Sequence, residues 1–205
     1  MRRIGHRGAM GHAPENTIAS FEKAIALGCD EVETDVWLTA GGGLVISHDP
    51  PGDRAALSLD QVLDVCRGRV GVNVELKADG DEQQAAELGR RVAGRLAERS
   101  DPDAYVSSFW WPALTAAGDA APDVRRAFVF SDSPDRDALI ASARSAGLWA
   151  LHPNRAYLTR ELVSAAHAAG LRVNVWTVDD QGEIAACAAL GVDGIMSNWP
   201  ERIPK

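Results

Sequence analysis

Short β-rich runs alternate with longer Ala-rich runs along the whole chain. Strand patterns fall near Arg3–His6, Glu31–Trp37, Val70–Leu76, Tyr105–Ser108, Ala127–Phe130, Leu148–Leu151, Val173–Thr177 and Gly194–Ser197. Helical patterns fall near Thr17–Leu27, Ser58–Cys66, Glu82–Glu98, Pro112–Ala120, Pro134–Ala146, Thr159–Ala169 and Gln181–Leu190. The punctuation agrees: Asp180 stands where it can cap the last helix, and Gly147, Gly170 and Gly191 close three others. Repeated strand–helix units predict a parallel sheet with right-handed crossovers, and eight strands predict a closed (β/α)8 TIM barrel. An open doubly wound sheet is the alternative, but no G-x-G-x-x-G follows the first strand. Such barrels ordinarily need ~250 residues, with ~200 as the floor. At 205 residues this is a compact barrel with almost no decoration, read as one domain over residues 1–205.

The faces of the strands carry the first chemical signal. Side chains alternate along a strand, and neither face of a barrel strand meets bulk water. In the second strand Val32, Thr34 and Val36 share one face, and Glu33 and Asp35 the other. The third repeats this, with Val70, Val72, Val74 and Leu76 opposite Asn73, Glu75 and Lys77. In the seventh, Val173 and Val175 oppose Asn174 and Trp176. The apolar rows suit packing on helices, so the polar rows point inward, with their last members near the C-terminal strand ends where barrel enzymes do chemistry. Burying Glu33, Asp35 and Glu75 without a counter-charge would be very costly. An all-oxygen set suits a hard divalent cation, Mg²⁺ or Ca²⁺. Arg7 and Lys77 can carry part of the charge or bind phosphate. The plainer alternative is a solvent-facing edge strand whose carboxylates pair with basic residues, but the repeat on the next strand argues against it.

Two histidines end β-rich runs: His6, before Arg7-Gly8, and His48, after Gly43–Ser47. Histidine both gives and takes protons near neutral pH. Cleaving a phosphodiester needs a base for the attacking oxygen and an acid for the leaving alcohol, and two histidines beside one phosphate supply both. His12 reads as a loop residue, His167 as a helix-surface residue, and His152 as strand-end packing or the edge of a pocket. Trp176 points inward as either a core plug or a pocket wall.

Acidic residues outnumber basic ones by 29 to 21, for a net charge of −8, which argues against binding nucleic acid through phosphate neutralisation. The hydrophobic share of 46% is enough for a full core, yet no apolar stretch approaches a membrane span. The charged start lacks an apolar signal region, so a cytoplasmic protein is expected. Cys29, Cys66 and Cys187 form no C-x-x-C pair and read as buried free thiols. Oligomeric state is not legible.

The run Gly5 to Asp49, with "HRG", "PENT", "E-T-D" and "HD" in order, closely resembles the opening of the glycerophosphodiester phosphodiesterase family. The resemblance continues through "VELK" (Val74–Lys77), "NVWTV" (Asn174–Val178) and "GVDGIMSNWP" (Gly191–Pro200), and so covers nearly the whole chain. It implies a compact barrel of the phospholipase-C-like phosphodiesterase type with a divalent cation. By that likeness His6 and His48 are the acid–base pair, Glu33, Asp35 and Glu75 the metal ligands, and Arg7 and Lys77 phosphate contacts. Trp176 is then a candidate wall for the glycerol moiety. The implied reaction is metal-dependent hydrolysis of glycerophosphodiesters to glycerol 3-phosphate and an alcohol. The rival readings are a lysophospholipase D-type phosphodiesterase and a catalytically silent phosphate-binding barrel. A Schiff-base barrel using Lys77 fits less well, since Lys77 stands beside Glu75. Three departures stand out. Only Pro50–Leu57 occupies the place of a sizeable insertion that shapes the headgroup region. Thr39-Ala40-Gly41-Gly42 lacks the usual acid of its turn. Ser197-Asn198 replaces a common Thr-Asp pair, which removes a carboxylate near the eighth strand end.

Overall fold

The computed structural model describes residues 1–52, 56–99 and 103–204. Among these residues nine strands form one sheet: β1 (Arg2–Gly5), β2 (Glu31–Leu38), β3 (Leu44–Ile46), β4 (Gly71–Leu76), β5 (Ala104–Ser108), β6 (Arg126–Phe130), β7 (Ala150–Pro153), β8 (Arg172–Val175) and β9 (Gly194–Ser197). Their order is β1-β9-β8-β7-β6-β5-β4-β2-β3, and β1 also pairs with β2, which closes eight parallel strands into a barrel. β3 lies outside the ring as an antiparallel partner of β2, with Val36 opposite Ile46. That hairpin carries His48 back towards the mouth from which β2 has just emerged.

Among the described residues seven helices surround the barrel: α1 (Ile18–Ala26), α2 (Leu59–Cys66), α3 (Glu82–Arg99), α4 (Trp111–Ala120), α5 (Arg136–Ser145), α6 (Arg160–Ala168) and α7 (Gln181–Leu190). β9 is followed by a single 3₁₀ turn, Pro200–Arg202. Side-chain caps start the helices: Thr17, Ser58, Asp135, Thr159 and Asp180 each accept a backbone N–H of the first turn. Close approach does the rest. A Cβ on Gly89 of α3 would lie 2.0 Å from the Ala113 carbonyl oxygen of α4, so only glycine permits that spacing.

The predicted faces hold. Val32, Val36, Val72, Val74, Leu76, Val173 and Val175 are buried in the cluster that joins sheet to helices. Glu33, Asp35, Asn73 and Asn174 are buried on the opposite side. β7 begins two residues later than the sequence pattern suggests. Gly147, at φ 64°, turns the chain out of α5, and the Leu148 N–H returns to the Ala143 carbonyl. Leu148 is therefore part of a helix cap rather than a strand. The shift carries His152 from a strand end into the strand, where it is fully buried. All three cysteines are free and buried. Among the described residues no helix is long and apolar enough to cross a membrane.

Candidate active site

Parallel pairing of β2 with β4 sets Glu33 beside Asn73 and Asp35 beside Glu75. Their carboxylates meet at the C-terminal mouth: one oxygen each from Glu33, Asp35 and Glu75 lies within 4.8 Å of the others. The sequence prediction that these three converge is therefore seen directly. Burial first, then Asp35 and Glu75, pushes the Glu33 carboxyl well above the usual carboxylate range. Burial likewise raises Glu75, although Lys77 pulls the other way.

Two cations partly balance this group. The Lys77 ammonium lies 2.9 Å from Glu75 Oε1 and 3.4 Å from Asp35 Oδ1. The Arg7 guanidinium lies 3.2 Å from Asp35 Oδ2 through Nε and 2.8 Å from Glu15 Oε2 through Nη1. The Arg7 backbone N–H donates to Glu33 Oε2 at 2.9 Å. Glu33 Oε1 is buried with no hydrogen-bond partner among the described residues. An orphaned carboxylate oxygen beside two further carboxylates is a donor set that fits a hard divalent cation.

His6 leaves the end of β1, its N–H bound to the Ser197 carbonyl of β9. Its Nε2 lies 3.9 Å from Glu33 Oε2, and its Nδ1 lies 2.7 Å from Asn198 Oδ1. Burial, then the Arg7 charge, lowers its pKa. His48 is more exposed, with Nδ1 3.0 Å from Asp49 Oδ1. No hydrogen bond or ion pair links it to the carboxylates. It lines a cavity of about 500 Å³ with Glu15, Asn16, Ile46, Leu57 and Gln61. Asn16 ties that cavity to the carboxylates, because its amide donates to Asp35 Oδ2 at 2.9 Å. Trp176 stands half-buried at the mouth. Its indole N–H donates to the His152 carbonyl at 2.8 Å, and its ring meets Phe109 edge-on.

Two residues of this region, Asn16 and Asp179, were not singled out from sequence. Asn16 has φ 56° and Arg7 φ 49°, the only non-glycine residues in the left-handed region among those described. Both sit in the loop between β1 and α1, and strained backbone gathers at such sites. Asp179 follows β8 and accepts from the Asn198 backbone N–H, the Asn198 side-chain amide and the Ser197 hydroxyl. The carboxylate expected to be missing at position 198 is thus present one layer back, on Asp179. His12 packs on Trp199 and pairs with Glu201, and His167 pairs with Asp193, so both are structural.

A model of the glycerophosphoryl diester phosphodiesterase family matches residues 6–70 and 58–202. The chain belongs to that family. Glycerophosphodiester phosphodiesterases of Bacillus altitudinis and Caldanaerobacter subterraneus are each 28% identical, with 98% of this chain and 96% and 95% of theirs aligned. An Oleispira antarctica phosphodiesterase, solved in complex with the product sn-glycerol-3-phosphate, superposes with a TM-score of 0.88. It is 26% identical, over 99% of this chain and 95% of that one. The family match breaks into two stretches that overlap at residues 58–70. That is just beyond Pro50–Leu57, of which residues 53–55 lie outside those described.

Proposed function

We propose that this chain hydrolyses glycerophosphodiesters to glycerol 3-phosphate and the free alcohol, with a divalent cation held by Glu33, Asp35 and Glu75. The observation that carries this reading is the convergence of those carboxylates beside His6, Arg7 and Lys77 at the barrel mouth. Bound there, Mg²⁺ or Ca²⁺ supplies Lewis acidity towards the phosphate and the substrate hydroxyl beside it.

The remaining work falls to side chains. Arg7 and Lys77 contact phosphate oxygens, and their charges offset the negative charge that grows as the ester is cleaved. One histidine of the pair His6 and His48 takes the proton of the attacking hydroxyl. A new oxygen–phosphorus bond forms as the bond to the departing alcohol breaks, and the other histidine gives that alcohol its proton. Attack from within the substrate benefits from high effective molarity. Water then opens the cyclic phosphate with the histidine roles reversed. Trp176 offers an apolar wall for the glycerol carbons, and the cavity beside His48 offers room for the leaving group.

The test is a coupled assay for glycerol 3-phosphate over several glycerophosphodiesters and a lysophospholipid, with chelation and Mg²⁺ or Ca²⁺ add-back. Activity should vanish with chelator and return with metal. His6→Ala and His48→Ala should each lower kcat by ~10²-fold or more while the proteins remain folded. Full activity in chelator, or in either variant, would refute the reading. Release of choline from the lysolipid in preference to the glycerodiester would move the assignment to the lysophospholipase D type.

A further inference from the structure

The acid–base reading leaves open which nitrogen of His6 exchanges the proton, and the hydrogen bonds behind His6 answer this. Asp179 sits between β8 and β9. Its Oδ1 accepts from the Asn198 backbone N–H at 2.8 Å and from the Ser197 hydroxyl at 2.8 Å. Its Oδ2 accepts from Asn198 Nδ2 at 2.7 Å. Its own backbone carbonyl is held by Arg202 at 2.9 Å. The carboxylate is therefore fixed in place, with every contact a donor pointing at it.

A carboxylate has no proton to give, so the Asn198 amide must turn its NH₂ towards Asp179 and its oxygen the other way. That oxygen lies 2.7 Å from His6 Nδ1 and can only accept. The imidazole proton must then reside on Nδ1. The opposite nitrogen, Nε2, carries the lone pair and faces the carboxylate group, 3.9 Å from Glu33 Oε2. We infer that Asp179, acting through Asn198, locks His6 in the Nδ1–H tautomer, so that its bare Nε2 is the nitrogen that exchanges protons at the barrel mouth. Asp179 and Asn198 are positioning residues, and the catalytic part of the inference rests on the two-histidine reading. The orienting task is divided between two residues on neighbouring strand ends.

The relay makes a prediction that simple loss of packing does not. Asp179→Asn is nearly isosteric, but its new NH₂ faces Asn198. The Asn198 amide must then reverse, offer NH₂ to His6 Nδ1, and drive the imidazole proton to Nε2. Adding Asn198→Asp to that variant restores an acceptor at Nδ1 and with it the original tautomer. Nitrogen-15 spectra of the histidine rings, recorded with Mg²⁺ at a pH where the rings are neutral and assigned with His6→Ala, read this directly.

The unaltered protein should show a protonated Nδ1 and a bare Nε2 on His6. Asp179→Asn should invert the pattern and lower kcat by ~10²-fold with little change in KM. The double variant should restore the pattern and bring kcat back to within about tenfold of the original. Should Asp179→Asn fail to fold, Asn198→Ala serves instead, and it should leave His6 with a mixture of tautomers. An Nε2–H ring in the unaltered protein, or a tautomer insensitive to these changes, would overturn the relay even if His6→Ala were inactive. An inverted tautomer with undiminished kcat would keep the relay and remove the acid–base role of His6.

Discussion

At the scale of single residues, the site poses a problem of charge. Three carboxylates share a space a few ångströms wide, and Lys77 and Arg7 are the cations that touch them. Lys77 is itself buried enough to disfavour its charge, but Glu75 and Asp35 outweigh burial and raise its pKa, so it stays an ammonium at any ordinary pH. It therefore competes with the metal for the same oxygens. Removing it with Lys77→Met should tighten Mg²⁺ binding, by roughly tenfold for one like charge removed from a partly screened site. The same change should cut turnover by ~10²-fold, because a phosphate contact is lost. Calorimetric titration of Mg²⁺ alongside the coupled assay separates the two effects. Weaker metal binding in the variant would mean that Lys77 organises the carboxylates rather than opposing the ion. Much at this scale was legible in the sequence, because alternation along β2 and β4 leaves Glu33, Asp35 and Glu75 no other direction to point. Asp179 was not legible. Its role comes from Ser197 and Asn198, 18 and 19 residues away, and no local pattern marks that contact.

At the scale of elements, the turn between β1 and α1 does most to place the site. It carries His6 and Arg7 into the mouth, returns through Asn16 to Asp35, and docks on Ser20 of α1. The Ser20 hydroxyl donates to the Arg7 carbonyl at 2.9 Å and accepts from the Ala9 N–H at 2.9 Å. Gly8 lies against that serine at φ 85°, and a Cβ there would stand 2.4 Å from Ser20 Oγ and 2.6 Å from the Ser20 carbonyl carbon. The glycine of "HRG" thus meets two demands, a left-handed backbone and contact with the helix. Gly8→Ala should cost ~2–4 kcal/mol, since the backbone of α1 cannot move aside as a side chain could. Activity should fall with it as Arg7 shifts. Gly170→Ala is the control, also left-handed at φ 78° but with nothing within 4 Å, and should cost only about 1 kcal/mol with activity intact. Equal costs in denaturant melts would show that the fit against Ser20 is unimportant. The elements themselves were readable from periodicity and glycine punctuation. The beginning of β7 was not, because Leu148 is as apolar as a strand residue and only the geometry of the cap after Gly147 assigns it to α5.

At the scale of the whole molecule, the polar residues lining the barrel differ in use along its axis. At the N-terminal end, buried Glu31 accepts from Tyr105 and pairs with Arg2, far from the mouth. Part-way along sits His152, whose Nε2 accepts from Asn174 Nδ2 at 3.1 Å while Nδ1 has no hydrogen-bond partner among the described residues. Burial alone pushes its pKa from the ordinary 6.5 down to about 3. The folded protein therefore keeps His152 neutral between those values, whereas the unfolded chain binds a proton there. The state that binds more protons gains as pH falls, so this residue costs the fold nothing above pH 6.5 and progressively more below it. Between pH 6.5 and 5 the loss is about 2 kcal/mol, at ~1.4 kcal/mol per pH unit. His152→Gln keeps an acceptor for Asn174 and cannot titrate, so its stability should be flatter with pH by that amount in urea melts. Because His152 touches none of Glu33, Asp35, Glu75 and His6, the pH dependence of kcat should stay where it was. A variant whose stability still falls as steeply would place the acid-sensitive group elsewhere, and a shifted activity profile would tie the barrel interior to the chemistry at its mouth.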